Sequence, residues 1–251
     1  MTAVTRAALR YEGKAKRVYD TDDPALCIVE YTDNATAFNG EKRATILGKG
    51  ALNNQISGIF MGLVAAAGVP THFVRLLGDL EQLNRSVTIV PLEVVVRNVA
   101  AGSLAKRFGV EEGLVLDQTV VEFYYKRDDL GDPLLNRSHI ATLGLATPDT
   151  LVQIERLARL VNATLVPELL GRGVTLVDFK LEFGFDASGE LLLADEISPD
   201  TCRFWDSETG EKLDKDIFRR DLGDAIDGYG RLLQRLTGET AGAPALSGAT
   251  R

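Results

Sequence analysis

An α+β fold is predicted, with antiparallel sheets and flanking helices. The first ninety residues read mostly as β, amphipathic helical patterns gather behind them, and neither an internal repeat nor a long linker breaks the chain. At 251 residues the protein is one large or two small domains, and we place a soft boundary near residue 80.

The elements follow in order. Residues 10–20 and 25–31 read as strands separated by the turn-forming Thr21-Asp22-Asp23-Pro24, which makes them a hairpin. A helix is expected over 49–67, with Leu52, Ile56, Ile59 or Phe60 and Leu63 on one face and Gly68-Val69-Pro70 ending it. Short β segments return at 71–77 and 86–96, a short helix follows Gly102-Ser103, and an aromatic strand covers 120–125 before a polar loop at 126–137. Thr147-Pro148 supplies an N-cap with proline at the first helical position. Leu151, Ile154, Leu157 and Val161 repeat behind it at helical spacing, towards Pro167. Two β runs, 174–185 and 190–197, precede a last helix from about residue 215 carrying Phe218, Leu222, Ile226, Tyr229 and Leu233 inward. Residues 237–251 are small and polar, and are expected to form a flexible tail.

Composition removes several function classes. Lys and Arg total 28 against 36 Asp and Glu, a net charge of −8 that opposes general binding to a nucleic-acid backbone. No stretch approaches the roughly 20 apolar residues of a membrane span, and no signal peptide is read before Tyr11. Cys27 and Cys202 match no disulfide or zinc spacing, so a reduced, cytoplasmic protein is expected. His72 and His139 lie far apart and read as structural residues, which leaves a zinc hydrolase or a Ser-His-Asp triad without its parts. Neither a Walker loop nor a G-x-G-x-x-G fingerprint occurs.

Two basic segments stand out in this acidic chain. Arg10-Tyr11-Glu12-Gly13-Lys14-Ala15-Lys16-Arg17 places four cations against one acid, and on a strand Lys14 and Lys16 would point to one side and meet one polyphosphate. A lysine-protected edge strand is the ordinary alternative. The segment from Arg97 to Arg107 holds three cations and no acid, with Arg97 and Ser103 suited to a phosphate. Its plainer reading makes Ser103 an N-cap.

The most informative segment is Val177-Asp178-Phe179-Lys180-Leu181-Glu182-Phe183. Its strict alternation sets Asp178, Lys180 and Glu182 on one face. A two-residue loop at Ala187-Ser188 would pair Asp195 with Lys180, whereas a one-residue bulge would bring Glu196 to that face instead, and both registers stay open. Leu191-Leu192-Leu193 is apolar on both sides, which suggests a buried strand, and buried carboxylates need a partner or a metal. Carboxylates on adjacent strands suit Mg²⁺; a salt-bridged sheet face is the alternative. The loop from Ile197 to Asp206 adds Asp200, which suits an amine or hydroxyl, Arg203, which suits a carboxylate or phosphate, and the only tryptophan, Trp205. A Ser-Pro-Asp turn with Trp205 packed on a helix is the alternative there. Cys202 has no evident activator and is expected to be inert. The loops 33–40 and 126–133 carry no signal alone.

In order, Gly13-Lys14-Ala15-Lys16, Val95-Val96-Arg97-Asn98 with Ala101-Gly102-Ser103, Asp178-Phe179-Lys180-Leu181-Glu182-Phe183-Gly184, and Asp195-Glu196 through Ser198-Pro199-Asp200 with Arg203 and Trp205 resemble the SAICAR synthetase family of purine biosynthesis. The resemblance spans roughly residues 9 to 236. It implies a two-lobed architecture related to ATP-grasp and kinase-like folds, with a β-rich lobe at 1–80 covering ATP and a lobe at 81–236 holding the metal and ribonucleotide. It further implies an ATP-dependent ligase that joins L-aspartate to carboxyaminoimidazole ribonucleotide (CAIR), requires Mg²⁺ and forms a homo-oligomer. By the same resemblance Lys14 and Lys16 line the ATP phosphates, and Lys180 and Glu182 face nucleotide and metal. Asp195 is the principal metal ligand; Arg97, Ser103 and Arg203 grip the ribonucleotide phosphate; and Asp132 lies near metal and substrate. In the acyl-activation mechanism this implies, an acid such as Asp200 accepts the proton that the aspartate amine must lose. No roles transfer to Glu41 or Lys49, where spacing differs. A small-molecule kinase of related fold and an inactive nucleotide sensor are the rival readings.

Overall fold

Turn chemistry decides how the N-terminal segment pairs. In the computed structural model, which describes residues 4–37 and 40–238, the expected strand at 10–20 is two strands, β1 (Arg6–Glu12) and β2 (Lys16–Thr21). Gly13 N donates to Lys16 O at 2.8 Å, so the chain reverses at Gly13-Lys14-Ala15 rather than continuing extended. The predicted hairpin forms between β2 and β3 (Leu26–Tyr31), across a turn in which Asp23 Oδ1 accepts from Ala25 N.

A small ribbon of β4 (Asn34–Ala37) and β5 (Lys42–Thr45) follows, in a stretch read as loop. Phe38 and Asn39 of that stretch lie outside the described residues. Helix α1 (Lys49–Ala66) matches expectation, burying Ile56 and Phe60, with Leu52 and Leu63 packed at the margin. β6 (Phe73–Leu76) and β7 (Glu81–Arg85) complete the first sheet in the order β1-β2-β3-β7-β6. That sheet therefore runs past the boundary expected near residue 80, because Glu81–Arg85 pairs with β3 as well as β6.

The second sheet contains β8 (Thr88–Val99), β9 (Val115–Tyr125), β10 (Leu134–Leu135), β11 (Val174–Phe185), β12 (Leu191–Ala194) and β13 (Cys202–Asp206). Its order is β10-β9-β8-β11-β12, all antiparallel, with β13 sharing the β12 side of β11. Helices α2 (Gly102–Phe108) and α3 (Arg137–Thr142) are short; α3 opens with a capping box in which His139 bonds Asn136, the structural role expected of that histidine.

Helix α4 (Pro148–Leu170) begins as predicted, with Thr147 Oγ1 accepting from Thr150 N at 3.1 Å, and continues through Pro167. Its buried stripe Leu151, Ile154, Leu157 and Val161 joins α1, β8 and β11 in one core, where Phe60 stacks on Phe204 at 5.6 Å. Each large apolar side chain so buried contributes roughly 2 kcal/mol. The expected single last helix is broken: α5 (Asp216–Arg219) and α6 (Ala225–Thr237) are separated by a loop in which Leu222 is exposed. Asp224 restarts the helix as N-cap, its Oδ1 accepting from Ile226 N at 2.8 Å. Beyond residue 238 the expected tail lies outside the described residues.

Candidate active site

One residue of loop length sets the acidic edge of the site. Asp186 Oδ1 accepts from Ser188 N and Glu190 N, both at 2.9 Å, and Gly189 takes φ 83°, so the β11–β12 loop is Ala187-Ser188-Gly189 rather than Ala187-Ser188. Pairing therefore runs Glu182 to Ala194 and Phe185 to Leu191, one residue from the register that opposes Asp195 to Lys180. Extended onward it would set Glu196 across from Lys180, but β12 stops at Ala194 and Asp195 turns left-handed at φ 59°. The turn brings both acids to one lysine. Lys16 of β2 bonds Asp195 Oδ1 and lies 2.9 Å from Glu196 Oε1, over the buried Tyr31 ring.

The shared face of Asp178, Lys180 and Glu182 on β11 is as predicted, and β8 and the loop after β9 complete it. Lys180 Nζ donates to Glu93 and Glu182, each at 2.9 Å, and stands 3.8 Å from Asp195; Lys126 donates to Glu182 at 2.7 Å. Burial opposes the charge on Lys16 and Lys180, yet the surrounding carboxylates outweigh it and hold both ammonium groups well above the ordinary lysine range. Burial likewise opposes Asp195, whose carboxyl Lys16 and Lys180 pull far below normal. His72 Nε2 lies 3.1 Å from the Asp195 carbonyl, and burial pushes the imidazole down to about 4, so it is a neutral structural prop.

Not every expected partner converges. Lys14 sits in the β1–β2 turn, so it does not share a strand face with Lys16; it pairs with Asp128 at 2.6 Å instead. Asp132, at φ 46°, spends Oδ1 on Arg127 N at 2.8 Å within its own loop.

The basic residues do converge. Arg97 is nearly buried and donates to Glu122 (2.8 Å), Asp178 (2.7 Å), Ser103 Oγ (3.1 Å) and the Tyr124 hydroxyl (3.2 Å). Ser103 is not the N-cap of α2; Ala101 occupies that position, so the serine hydroxyl is spent on Arg97. Arg203 donates to Asp178 at 2.9 Å and to Asp216 at 2.9 Å. Asp200 is clamped by Lys49 at 2.8 Å, the Tyr229 hydroxyl at 2.8 Å and Lys215 at 3.5 Å. Burial opposes its ionisation, but the two lysines hold its carboxyl far below the usual range. Arg97, Asp178, Lys180, Asp200, Arg203 and Arg219 all line one cavity of about 190 Å³. Trp205 packs with Val99, Ala101 and Val177 under Lys212, and burial pushes the Cys202 thiol up, in keeping with an inert cysteine.

The donors suit a hard cation in a particular way. Among the described residues no cluster of three or more His, Cys, Asp or Glu side chains would hold a metal unaided. Glu182 and Asp195 both approach the Lys180 ammonium, at 2.9 and 3.8 Å, and their carboxylate oxygens are the donor type that Mg²⁺ takes together with phosphate and water. Sequence reasoning did not single out Glu93, Lys126, Lys49, Lys215, Tyr229 or Arg219. Only Glu93 carried a signal, since Glu93, Val95 and Arg97 alternate onto one face of β8.

Comparison with known proteins identifies relatives in sequence and in fold. The family model for SAICAR synthetase matches residues 9–236. A phosphoribosylaminoimidazole-succinocarboxamide synthase of Brevibacillus brevis is 63% identical over 229 residues, 91% of this chain and 96% of that one. The same-named protein of Deinococcus deserti is 58% identical, over 93% and 99% of the two chains. Among solved structures, that of the Ehrlichia chaffeensis synthase superposes with a TM-score of 0.90 at 43% identity, covering 93% of this chain and all (100%) of that one. A SAICAR synthetase solved in complex with ADP also gives 0.90, at 49% identity over 93% and 99% of the chains. Matched in sequence over nearly all its described length and in fold at that level, this chain belongs to the SAICAR synthetase family.

Proposed function

We propose that the protein joins L-aspartate to the carboxylate of CAIR, using ATP and releasing SAICAR, ADP and phosphate. The observation that carries this reading is the adjacency of two unlike sites along β11. Asp178, which gathers Arg97 and Arg203, is followed two positions later on the same face by Lys180, which gathers Glu93, Glu182 and Asp195. Successive same-face residues of a strand lie about 7 Å apart. A ribonucleotide phosphate held by Arg97, Ser103 and Arg203 would thus leave the other end of the molecule beside the lysines.

A carboxylate is a poor electrophile. The γ-phosphoryl group of ATP passes to one of its oxygens and ADP leaves; the aspartate ammonium loses a proton to solvent, and the amine then attacks the acyl carbon and displaces phosphate, which carries off the second nitrogen proton as the amide forms. Lys16 and Lys180 exchange carboxylate partners for phosphate oxygens and spread the charge that develops during transfer, and Lys14, on the β1–β2 turn, is the third lysine assigned to the phosphates. Glu182 and Asp195 are the residues that would hold Mg²⁺, which supplies a counter-charge to the triphosphate. Asp200 is kept ionised by Lys49 and Lys215, and a carboxylate with so low an affinity for protons is a weak base. We therefore assign it to seating the aspartate ammonium rather than to removing its proton. Asp132 stays a candidate near substrate through its position in the 126–133 loop.

On this reading the N-terminal sheet covers ATP and the second sheet carries metal and ribonucleotide. The enzyme is a cytoplasmic homo-oligomer working on small molecules, without nucleic-acid or membrane partners. Among the described residues no helix is long and apolar enough to cross a membrane. The test is ADP release measured with each substrate omitted in turn. Turnover that requires ATP, CAIR and aspartate together supports the ligase, and full ADP release without aspartate replaces it with a kinase.

A further inference from the structure

The arginines of the cavity wall are organised by a carboxylate to which the proposed chemistry gives no part. Asp216, the first residue of α5, is 1% exposed, yet it meets three guanidinium groups. Its Oδ2 accepts from Arg203 Nε at 2.9 Å and lies 3.4 Å from Arg220 Nη2, while Oδ1 accepts from Arg219 Nη1 at 2.7 Å. Arg203 and Arg219 line the cavity; Arg220 is tied outward to Glu112 by two bonds of 2.8 Å. Burial opposes ionisation of Asp216, but Arg203 and Arg219 outweigh it and keep the group charged.

Asp216 is itself held in place. Its N–H donates to Asp214 Oδ1 at 2.7 Å, and the other oxygen of Asp214 accepts from Phe204 N at 2.8 Å, so one buried side chain ties the start of α5 to the strand residue beside Arg203. Gly228 of α6 provides the seat for α5, since a Cβ there would stand 2.3 Å from Ile217 Cδ1.

Arg203 is consequently gripped along two edges, Nε by Asp216 and Nη1 by Asp178. Fixing two edges of a planar guanidinium fixes its plane, and the remaining Nη2 is aimed at Gly102. A Cβ on Gly102 would lie 2.6 Å from that nitrogen, and the residue takes φ 52°, so glycine answers both the space and the backbone.

We propose that Asp216 is a positioning residue for the ribonucleotide: it sets Arg203 and Arg219 as an aligned pair on the cavity wall, with Gly102 keeping open the space into which Arg203 points. The proposal rests on the reading that Arg203 grips the ribonucleotide phosphate. Loss of a group that orients a binding residue commonly costs ten- to a hundredfold in affinity at metal sites, and roughly tenfold is expected here.

The experiment is steady-state ADP release by the full chain, with CAIR and ATP varied separately, for Asp216→Asn, Asp216→Glu, Arg203→Ala and Ile217→Val, with the Tm of each. Asp216→Asn should raise the CAIR KM roughly tenfold and move the ATP KM less than about twofold, with Asp216→Glu in between. Ile217→Val, which loosens α5 without touching an arginine, should leave both KM values unchanged despite a lower Tm. If Asp216→Asn does not fold, Asp216→Glu decides: a selective rise in CAIR KM supports the proposal, and its absence overturns it. Equal rises for ATP and CAIR, or a CAIR effect matched by Ile217→Val, overturn it as well. Should Arg203→Ala leave the CAIR KM unmoved, the underlying reading of Arg203 fails instead.

Discussion

Replacing Asp195 by asparagine separates the charge of the acidic turn from its backbone. Asparagine is among the few residues that accept the left-handed conformation, so φ 59° at this position can be retained while the carboxylate is lost. Asp195 lies 3.8 Å from Lys180, and its side chain is 18% exposed. Two unit charges at that distance interact by about 4 kcal/mol at an effective dielectric near 20, and solvent screening lowers this to about 3 kcal/mol. Taking that as the scale of one cation–carboxylate interaction at this point in the cleft, kcat should fall on the order of 10²-fold. Lys16 keeps Glu196 at 2.9 Å, so the fold should lose little, with Tm falling by less than about 3 °C. The assay is ADP release at saturating ATP, CAIR and aspartate, beside a thermal melt. A folded Asp195→Asn enzyme with kcat within about threefold of wild type would refute the reasoning, because no cation–carboxylate interaction of that size would then contribute to the transition state.

Arg97→Lys should raise the CAIR KM roughly tenfold and spare that for ATP, since a lysine cannot reproduce the fork that meets Glu122 and Asp178; equal effects on both substrates would contradict the division of the cavity. Arg97→Ala should also lower stability by roughly 3–5 kcal/mol in denaturant titration, because two buried carboxylates lose their partner. For Asp200→Asn the expected signature is a higher aspartate KM with CAIR and ATP little changed, and unaltered kinetics in all three would remove Asp200 from the site. Burial and the neighbouring Asp216 raise Asp214 to about 7. The folded state therefore binds a proton that the unfolded state has released, and this group's contribution to stability falls as pH rises from about 4 to about 7. Relative to Asp214→Asn, the wild type should lose stability as pH rises from about 4 to about 7; parallel curves would show that Asp214 is not the group responsible.

Much of the site was legible because its signals are local. Alternation along Val174–Phe185 put Asp178, Lys180 and Glu182 on one face without reference to anything distant, and Thr147-Pro148 announced the start of α4. Lys14 illustrates the opposite case: its side depended on whether Gly13 lay within a strand or at a turn, which the composition of the segment leaves open. Ser103 was equally ambiguous, since cap and arginine partner differ only in where Arg97 arrives. Lys126, Lys49, Lys215 and Arg219 had no signal at all; each becomes part of the site only through the element that carries it there.

From the amino-acid order by itself came the α+β class, the principal helices, the charged face of β11 and the family. Tertiary structure alone decided that the last hairpin closes with three loop residues, that Asp195 and Glu196 both turn to a lysine from the other sheet, and that Asp178 and Asp216 share the arginines. The physical reason is the difference in range. Periodicity and capping depend on neighbours a few positions away, whereas a strand's partners depend on register, and a shift of one residue exchanges every side chain between core and cleft.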